Sequence, residues 1–287
     1  MKIALGTAQL GFEYGIANTV GRVSHEDASR ILDLAERGGV KILDTAPAYG
    51  DSEEVLGSFR AAERFAIVTK TVRLGAKGAA AVIAAFERSL ERLRATTLHA
   101  LFVHAAADLG GAAGRELARL LQGLRQSGRV QRVGVSVYSA AEIRRALDVL
   151  ELDAIQVPVN VLDQRLVADG TLGRLKTRGI EVHARSAFLQ GVLVSDAGRL
   201  PAYFDPIRPR LAAWRSFCRA RGLTPLRAAL GFVCGIAAID HVVCGVESVT
   251  QLEEVLAAAQ PLDPAEFREL ALDDPDFVDP SRWRISV

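Results

Sequence analysis

Cysteine is scarce in this 287-residue chain: it occurs three times, at Cys218, Cys234 and Cys244, an odd number without Cys-x-x-Cys spacing. That argues against a disulfide framework and against a cysteine zinc site. Free cysteine behaves as a small buried hydrophobe, so the three are expected to be inert core thiols of a cytoplasmic protein. No metal site is expected. An excess of one charge sign is missing as well, because 35 Lys plus Arg stand against 34 Asp plus Glu for a net +1. Such a surface has no field to attract nucleic acid. No apolar run approaches the roughly 20 residues needed to span a membrane. Met1-Lys2-Ile3-Ala4-Leu5-Gly6 reads as a first strand rather than a targeting segment. Internal repeats and low-complexity segments are also lacking, and Gly6-Thr7-Ala8-Gln9 is not the glycine fingerprint that opens a doubly wound dinucleotide fold.

What the chain does contain is alternation. Apolar runs at Lys2–Leu5, Ile42–Asp44, Ala66–Lys70, Leu98–His104, Gln131–Ser136, Ala154–Val157, Gly179–Ala184 and Ile239–Cys244 read as buried strands. Helical patterns fall between them at Ser24–Arg37, Ser52–Arg60, Gly78–Arg94, Gly114–Ser127, Ala140–Leu150, Asp169–Arg178, Pro209–Gly235 and Val249–Ala259. The first of these has Ser24 as N-cap and Gly38-Gly39 as stop. Eight strands alternating with eight helices, in a chain that is 49% hydrophobic, predict one α/β domain over residues 1–287, a (β/α)8 TIM barrel.

In such a barrel the carboxyl ends of the strands converge on one mouth. Asp44 closes the second predicted strand, Lys70 the third and His104 the fourth, with Tyr49 on the loop after Asp44. A phenol with an ordinary pKa of about 10 is a poor proton donor at neutrality. A lysine ammonium beside it favours phenolate, an aspartate keeps that lysine charged and placed, and an imidazole can orient a carbonyl. Singly, each residue has a structural reading: a turn aspartate, a solvated strand terminus, a core histidine, a turn aromatic. Jointly, four such residue types in order at successive strand ends point to protonation of a carbonyl oxygen.

Those four residues, with Asp44-Thr45-Ala46 and Tyr49-Gly50-Asp51-Ser52-Glu53, resemble the catalytic tetrad and signature of the aldo-keto reductase family, and the similarity runs from Leu5-Gly6-Thr7 to Gln251-Leu252-Glu253-Glu254. The resemblance implies a nicotinamide cofactor across the mouth and reversible reduction of aldehydes or ketones. It implies Tyr49 as general acid, Lys70 and Asp44 as its tuning pair, and His104 as a group that positions the carbonyl. Implied cofactor contacts are Asp44, Thr7 near the ribose, Gln156 at the carboxamide, and Ser136, although Val137 stands where the family has asparagine. Arg185, Ser186, Leu189 and Gly191 lie in the stretch where the family has Tyr-Ser-Pro-Leu-x-x-Gly, with Arg185 replacing the stacking aromatic. Arg185 is expected to stack from the side or bind substrate oxygen; pairing with Glu181 or Asp163 outside the pocket is the alternative.

The last strand and helix carry the dinucleotide preference. A 2′-phosphate needs charge-assisted donors, yet from Val242 to Gln260 there is no Lys or Arg, while Glu247, Glu253 and Glu254 are present. With Gly245 and Gln251 at family cofactor positions, NADH is favoured over NADPH, Glu247 being a candidate acceptor for ribose hydroxyls and Ser248 a capping residue whose helix could still bind phosphate. Tyr14, Tyr138, Phe188, Tyr203, Phe204, Trp214 and Trp283 are candidate pocket walls, and Arg22, Arg185 and Arg208 candidate anion receptors. The expected partner is a small carbonyl or alcohol substrate, with no nucleic acid or membrane, in a monomer or small homo-oligomer. Two other functions stay open: a dinucleotide-binding regulatory barrel with little turnover, and a Schiff-base aldolase using Lys70.

Overall fold

All eight predicted strands form, and each pairs in parallel with its neighbours in sequence until β8 closes on β1. The computed structural model of the chain describes residues 1–16, 18, 20–75 and 78–285. The strands are β1 (Ile3–Gly6), β2 (Ile42–Asp44), β3 (Ala66–Lys70), β4 (Leu98–Val103), β5 (Val130–Ser136), β6 (Ala154–Pro158), β7 (Glu181–Arg185) and β8 (His241–Gly245). Closure is in register from Ile3 opposite Val242 to Gly6 opposite Gly245. Among the described residues no helix is long and apolar enough to cross a membrane.

Side chains alternate along each strand, so one set fills the barrel and the other faces the helices. The inner set is small at mid-height: Ala4, Ile42, Val68, Ala100 and Ala154 surround Phe102, all buried. Phe102 fits because β5 has a glycine beside it; a methyl on Gly134 would stand 2.4 Å from the Phe102 ring. The outer set belongs to a larger core that includes Ile31, Leu32, Leu43, Leu101 and Phe232. The three cysteines are free and buried within it, and burial pushes the Cys218 thiol up to about 11, which suits inert thiols.

The helices differ from the sequence pattern where glycine and proline intervene. The helix expected over Asp169–Arg178 forms as Thr171–Thr177, entered through Gly170 at φ +73°, and a short turn of helix not anticipated, Arg165–Ala168, precedes it. Pro209–Gly235, expected as one helical stretch, divides into Arg208–Ala220 and Pro225–Gly235. Gly222 turns left-handed at φ +63° and the Thr224 side chain caps the second helix by accepting from Arg227 N, with Pro225 in its first turn. The helix expected from Gly114 starts at Gly111, and Gly114, inside its first turn, packs on the Leu109 backbone. Ser24 caps His25–Arg37 as expected, accepting from Asp27 N.

Near the amino ends of the strands a charged cluster lines the barrel floor. Glu181 accepts from His183 Nε2 at 2.7 Å and from Arg132 Nε at 3.1 Å, with His99 Nε2 at 3.5 Å and His241 Nε2 at 3.7 Å. Burial alone would raise the Glu181 carboxyl; its bonds to His183 and His99 and the Arg132 charge hold it well below the usual carboxylate range.

Candidate active site

The carboxyl end of β2 directs Asp44 inward, that of β3 directs Lys70, and the two meet as a buried pair with Lys70 Nζ 2.6 Å from Asp44 Oδ1. Lys70 Nζ also donates to Thr45 O at 3.0 Å, and Gln156 Nε2 of β6 donates to Asp44 Oδ2 at 2.7 Å, so both carboxylate oxygens are held. Burial opposes charge on Lys70, but Asp44 and the Tyr49 phenol outweigh it and the lysine pKa is raised. The Tyr49 ring lies 4.9 Å from Lys70 Nζ and 6.2 Å, edge-on, from His104. His104 sits one residue past β4, its amide donating to Thr71 Oγ1 at 3.2 Å. Burial, reinforced by the Lys70 charge, lowers its pKa to about 4, so the imidazole is neutral at neutral pH.

Close backbone approach fixes the loop that carries Tyr49. A methyl on Gly11 would stand 1.7 Å from Tyr49 O, and one on Gly50, where φ is +57°, 2.4 Å from Gly11 O. Only glycine permits both the contact and the left-handed turn. Below the loop, Thr7 Oγ1 donates to Asp44 O at 3.0 Å, and the Ser52 hydroxyl lies 2.8 Å from Thr7 Oγ1 and 3.1 Å from Thr45 Oγ1. Glu53, fully enclosed, takes Thr69 Oγ1 at 2.7 Å and Arg92 Nε at 2.9 Å. Gly11 and Arg92 were not anticipated, and Ser52 and Glu53 were read only as part of the signature after Tyr49, without these contacts. A glycine opposite a glycine and a serine-glutamate pair after Tyr49 were legible, but their partners lie elsewhere in the chain.

A cleft of about 710 Å3 opens above these residues. Asp44, Tyr49, Lys70, His104, Thr7, Ser136, Gln156, Arg185, Ser186, Gly191, Gly245, Glu247 and Gln251 line it. Two predicted contacts fall outside that lining. Leu189 is wholly buried in the core, and Ser248 spends its hydroxyl accepting from Gln251 N as the N-cap of Val249–Ala258. Of the candidate aromatic walls, Tyr14, Tyr138 and Phe188 line the cleft. Tyr203, Phe204 and Trp283 instead pack on one another, and Trp214 is buried with its indole N–H on Leu193 O. Arg22 pairs with Asp51 and Arg208 with Asp205, so neither is an anion receptor of the cleft.

Arg185 points into the cleft rather than toward Glu181 or Asp163. Its guanidinium lies 4.0 Å from the Tyr138 ring centre and donates to Val137 O at 3.1 Å and to Ser186 Oγ at 3.3 Å. Asp163 is paired with Arg165. The following loop holds Ser186, Leu189 and Gln190 at positive φ, a strained backbone that surrounding structure must enforce. At the far wall Glu247 N donates to Gln251 Oε1 at 2.8 Å, and burial raises the Glu247 carboxyl above its ordinary value. Gln9, which the sequence reading did not single out, and Glu254, one of the acidic residues on which the NADH preference rests, line the same region; a methyl on Gly245 would strike the Gln9 amide at 2.4 Å. Among the described residues the cations lining the cleft are Lys70 and Arg185.

The model of the Aldo/keto reductase family matches residues 2–271, and the chain belongs to that family of oxidoreductases, which generally use NAD(P)H. L-galactose dehydrogenase of Arabidopsis thaliana is 27% identical, over 91% of this chain and 85% of its own length. Glyoxal reductase of Bacillus subtilis (strain 168) is 26% identical over 59% of this chain and 61% of its own. In fold, the chain is similar to the holo form of an aldo-keto reductase from Bacillus halodurans, with TM-score 0.77, 19% identity and coverage of 98% and 95%. It is also similar to a glycerol dehydrogenase of Gluconobacter oxydans, with TM-score 0.73, 22% identity and coverage of 99% and 94%.

Proposed function

We propose that this protein reversibly reduces a small aldehyde or ketone at the carboxyl end of its barrel, with NAD(P)H as reductant. The observation that carries the reading is the convergence of Tyr49, the Lys70–Asp44 pair and neutral His104 at one end of a cleft roomy enough for a dinucleotide.

The residues present fit such a cofactor. Gly245 leaves space where a side chain would collide with Gln9, and the helix Val249–Ala258 borders the cleft at Gln251, Glu254 and Val255. Thr7, Ser136, Gln156, Arg185 and Ser186 would hold the nicotinamide end, and Gly245, Glu247 and Gln251 the adenosine end. When bound, the reduced nicotinamide supplies hydride to the carbonyl carbon. Tyr49 gives its hydroxyl proton to the carbonyl oxygen. The Lys70 ammonium stabilises the phenolate left behind, and Asp44 keeps that ammonium charged. Neutral His104 donates a hydrogen bond that orients the carbonyl. Arg185, clamped between Tyr138 and Val137 O, offers a fixed donor to an oxygen of substrate or carboxamide. A charged Lys70 is a poor amine nucleophile, which speaks against the Schiff-base reading.

The names of the relatives support small, polar, hydroxylated or dicarbonyl compounds as a substrate panel: glyoxal, glycerol and L-galactose. Oxidation of NADH or NADPH by the aldehydes, and reduction of NAD or NADP by the alcohols, tests the reading. Tyr49→Phe is expected to lower turnover by ~10²–10⁴-fold with cofactor affinity nearly unchanged. Full activity in that variant removes Tyr49 from the role, and a wild-type protein that binds cofactor without turning over any compound of the panel is the regulatory barrel instead. Glu247 and Glu254 in the cleft wall disfavour a 2′-phosphate. Parallel fluorescence titrations are therefore expected to give tighter binding for NADH than for NADPH, by about tenfold or more, as for one lost charge-assisted contact.

A further inference from the structure

At the end of the barrel opposite the cleft, one carboxylate and three imidazoles meet. Pairing of β7 with β8 sets His183 level with His241, and their ring centres are 4.8 Å apart. Glu181, two residues before His183, directs Oε1 at both rings, and His99 of β4 brings a third Nε2 to within 3.5 Å of the same oxygen. Arg132 occupies the other carboxylate oxygen, Oε2, at 3.1 Å. His183 is wholly buried, and its Nδ1 has no hydrogen-bond partner. Nε2 is bonded to Glu181, so in either tautomer it is Nδ1 that goes unsatisfied, which is costly for a buried polar group.

We propose that Glu181, His183 and His241 bind a divalent transition-metal ion, zinc being the best match, with His99 or a water as the fourth ligand. One donor atom from each of the three lies within 4.8 Å of the others. Zinc bonds to imidazole nitrogen and carboxylate oxygen are about 2.0–2.2 Å, so the ligand atoms of one tetrahedral ion stand about 3.4 Å apart. His241 Nε2 and His99 Nε2 already stand 3.7 and 3.5 Å from Glu181 Oε1, and rotamer adjustment of partly exposed His241 and Glu181 that closes the widest separation by about 1.4 Å brings the set to that span. The donor set is one oxygen and two or three imidazole nitrogens, which suits zinc, cobalt, nickel or copper and not magnesium or calcium. The partial exposure of Glu181 and His241 opens a path for the ion from solvent at the floor. The ion would tie β7 to β8, and through His99 to β4, as a staple remote from the cleft. The expectation that no metal site exists followed from cysteine spacing; this cluster contains no cysteine and is assembled by strand pairing.

The test uses untagged, chelator-stripped full-length protein. Zinc is titrated calorimetrically, cobalt by absorption, and thermal unfolding is followed with and without zinc. The expected result is one equivalent bound per chain with micromolar or tighter affinity and a tetrahedral cobalt spectrum. At a hundredfold excess over Kd the melting temperature should rise by about 5 °C. His241→Gln should abolish all three effects while still binding NADH, and His104→Gln, at the other end of the barrel, should keep them. Absence of stoichiometric binding in the wild type overturns the proposal, a result that needs no variant to fold. Equal uptake by wild type and His241→Gln overturns it too, by showing that the ion sits elsewhere.

Discussion

Two charged clusters occupy opposite ends of the same strands. At the mouth, Asp44 and Lys70 are 3% and 1% exposed, yet they border a cleft of about 710 Å3 together with Tyr49 and His104. At the floor, Glu181 is shared among Arg132, His99, His183 and His241. Between them lies the apolar layer around Phe102, whose ring meets the His183 ring edge-on at 5.3 Å. Alternation along a strand sends residues of either end inward with equal ease, so the sequence pattern does not distinguish them. The difference is the space beside them. The mouth cluster faces room for ligands and the floor cluster faces other side chains, so the first should govern turnover and the second stability.

The sharpest way to break that contrast is Lys70→Met. It strands Asp44 as a buried charge, and loss of one partner of such a pair costs about 3–5 kcal/mol. Turnover should fall at the same time by ~10²-fold or more, since the phenolate loses its cation; equilibrium unfolding and steady-state rates check the two effects on one sample. A variant that keeps its turnover would place the working cation elsewhere. Glu181→Gln at the floor is expected to destabilise by about 1–3 kcal/mol, through unpaired Arg132, while kcat/KM stays within about twofold. A large loss of rate there would mean that the apolar layer does not insulate the ends.

The smallest effect is in pH. The His104 pKa falls to about 4 in the folded chain from an ordinary 6.5, chiefly through burial and then through Lys70. The unfolded chain therefore binds the extra proton between those values. The stabilisation from excluding it is complete above about pH 6.5 and is lost as pH drops toward 4. Discounted for the partial exposure of the ring, it amounts to about 1–2 kcal/mol. Melting temperatures of wild type and His104→Gln across that window should converge toward acid pH, and the rate profile should have no limb near pH 6.5 from His104. Parallel curves would refute a buried neutral imidazole.

Much of the barrel was legible because parallel strands buried on both faces read as short apolar runs. Their limits came within about two residues, as in Gly179 and Ile239 against the observed starts at Glu181 and His241. Asp44, Lys70 and His104 were legible as well, since a strand's last inward residue reaches the mouth wherever the strand lies in the ring. The stretch Pro209–Gly235 was read as one helical pattern because periodicity outlasts a single left-handed glycine, here Gly222. The aromatics Phe204 and Trp214 were misassigned to the pocket because size and apolarity mark core and wall alike.

By itself the sequence determined the order of elements, the parity of side chains and the residue types at strand ends, all of which depend on neighbours along the chain. The tertiary structure alone decided what depends on distant neighbours: Gly11 against Gly50, Gln156 on Asp44, Arg185 on Tyr138, and Glu181 amid three histidines. These contacts follow from strand tilt and ring closure, which set heights across the barrel that no local pattern encodes.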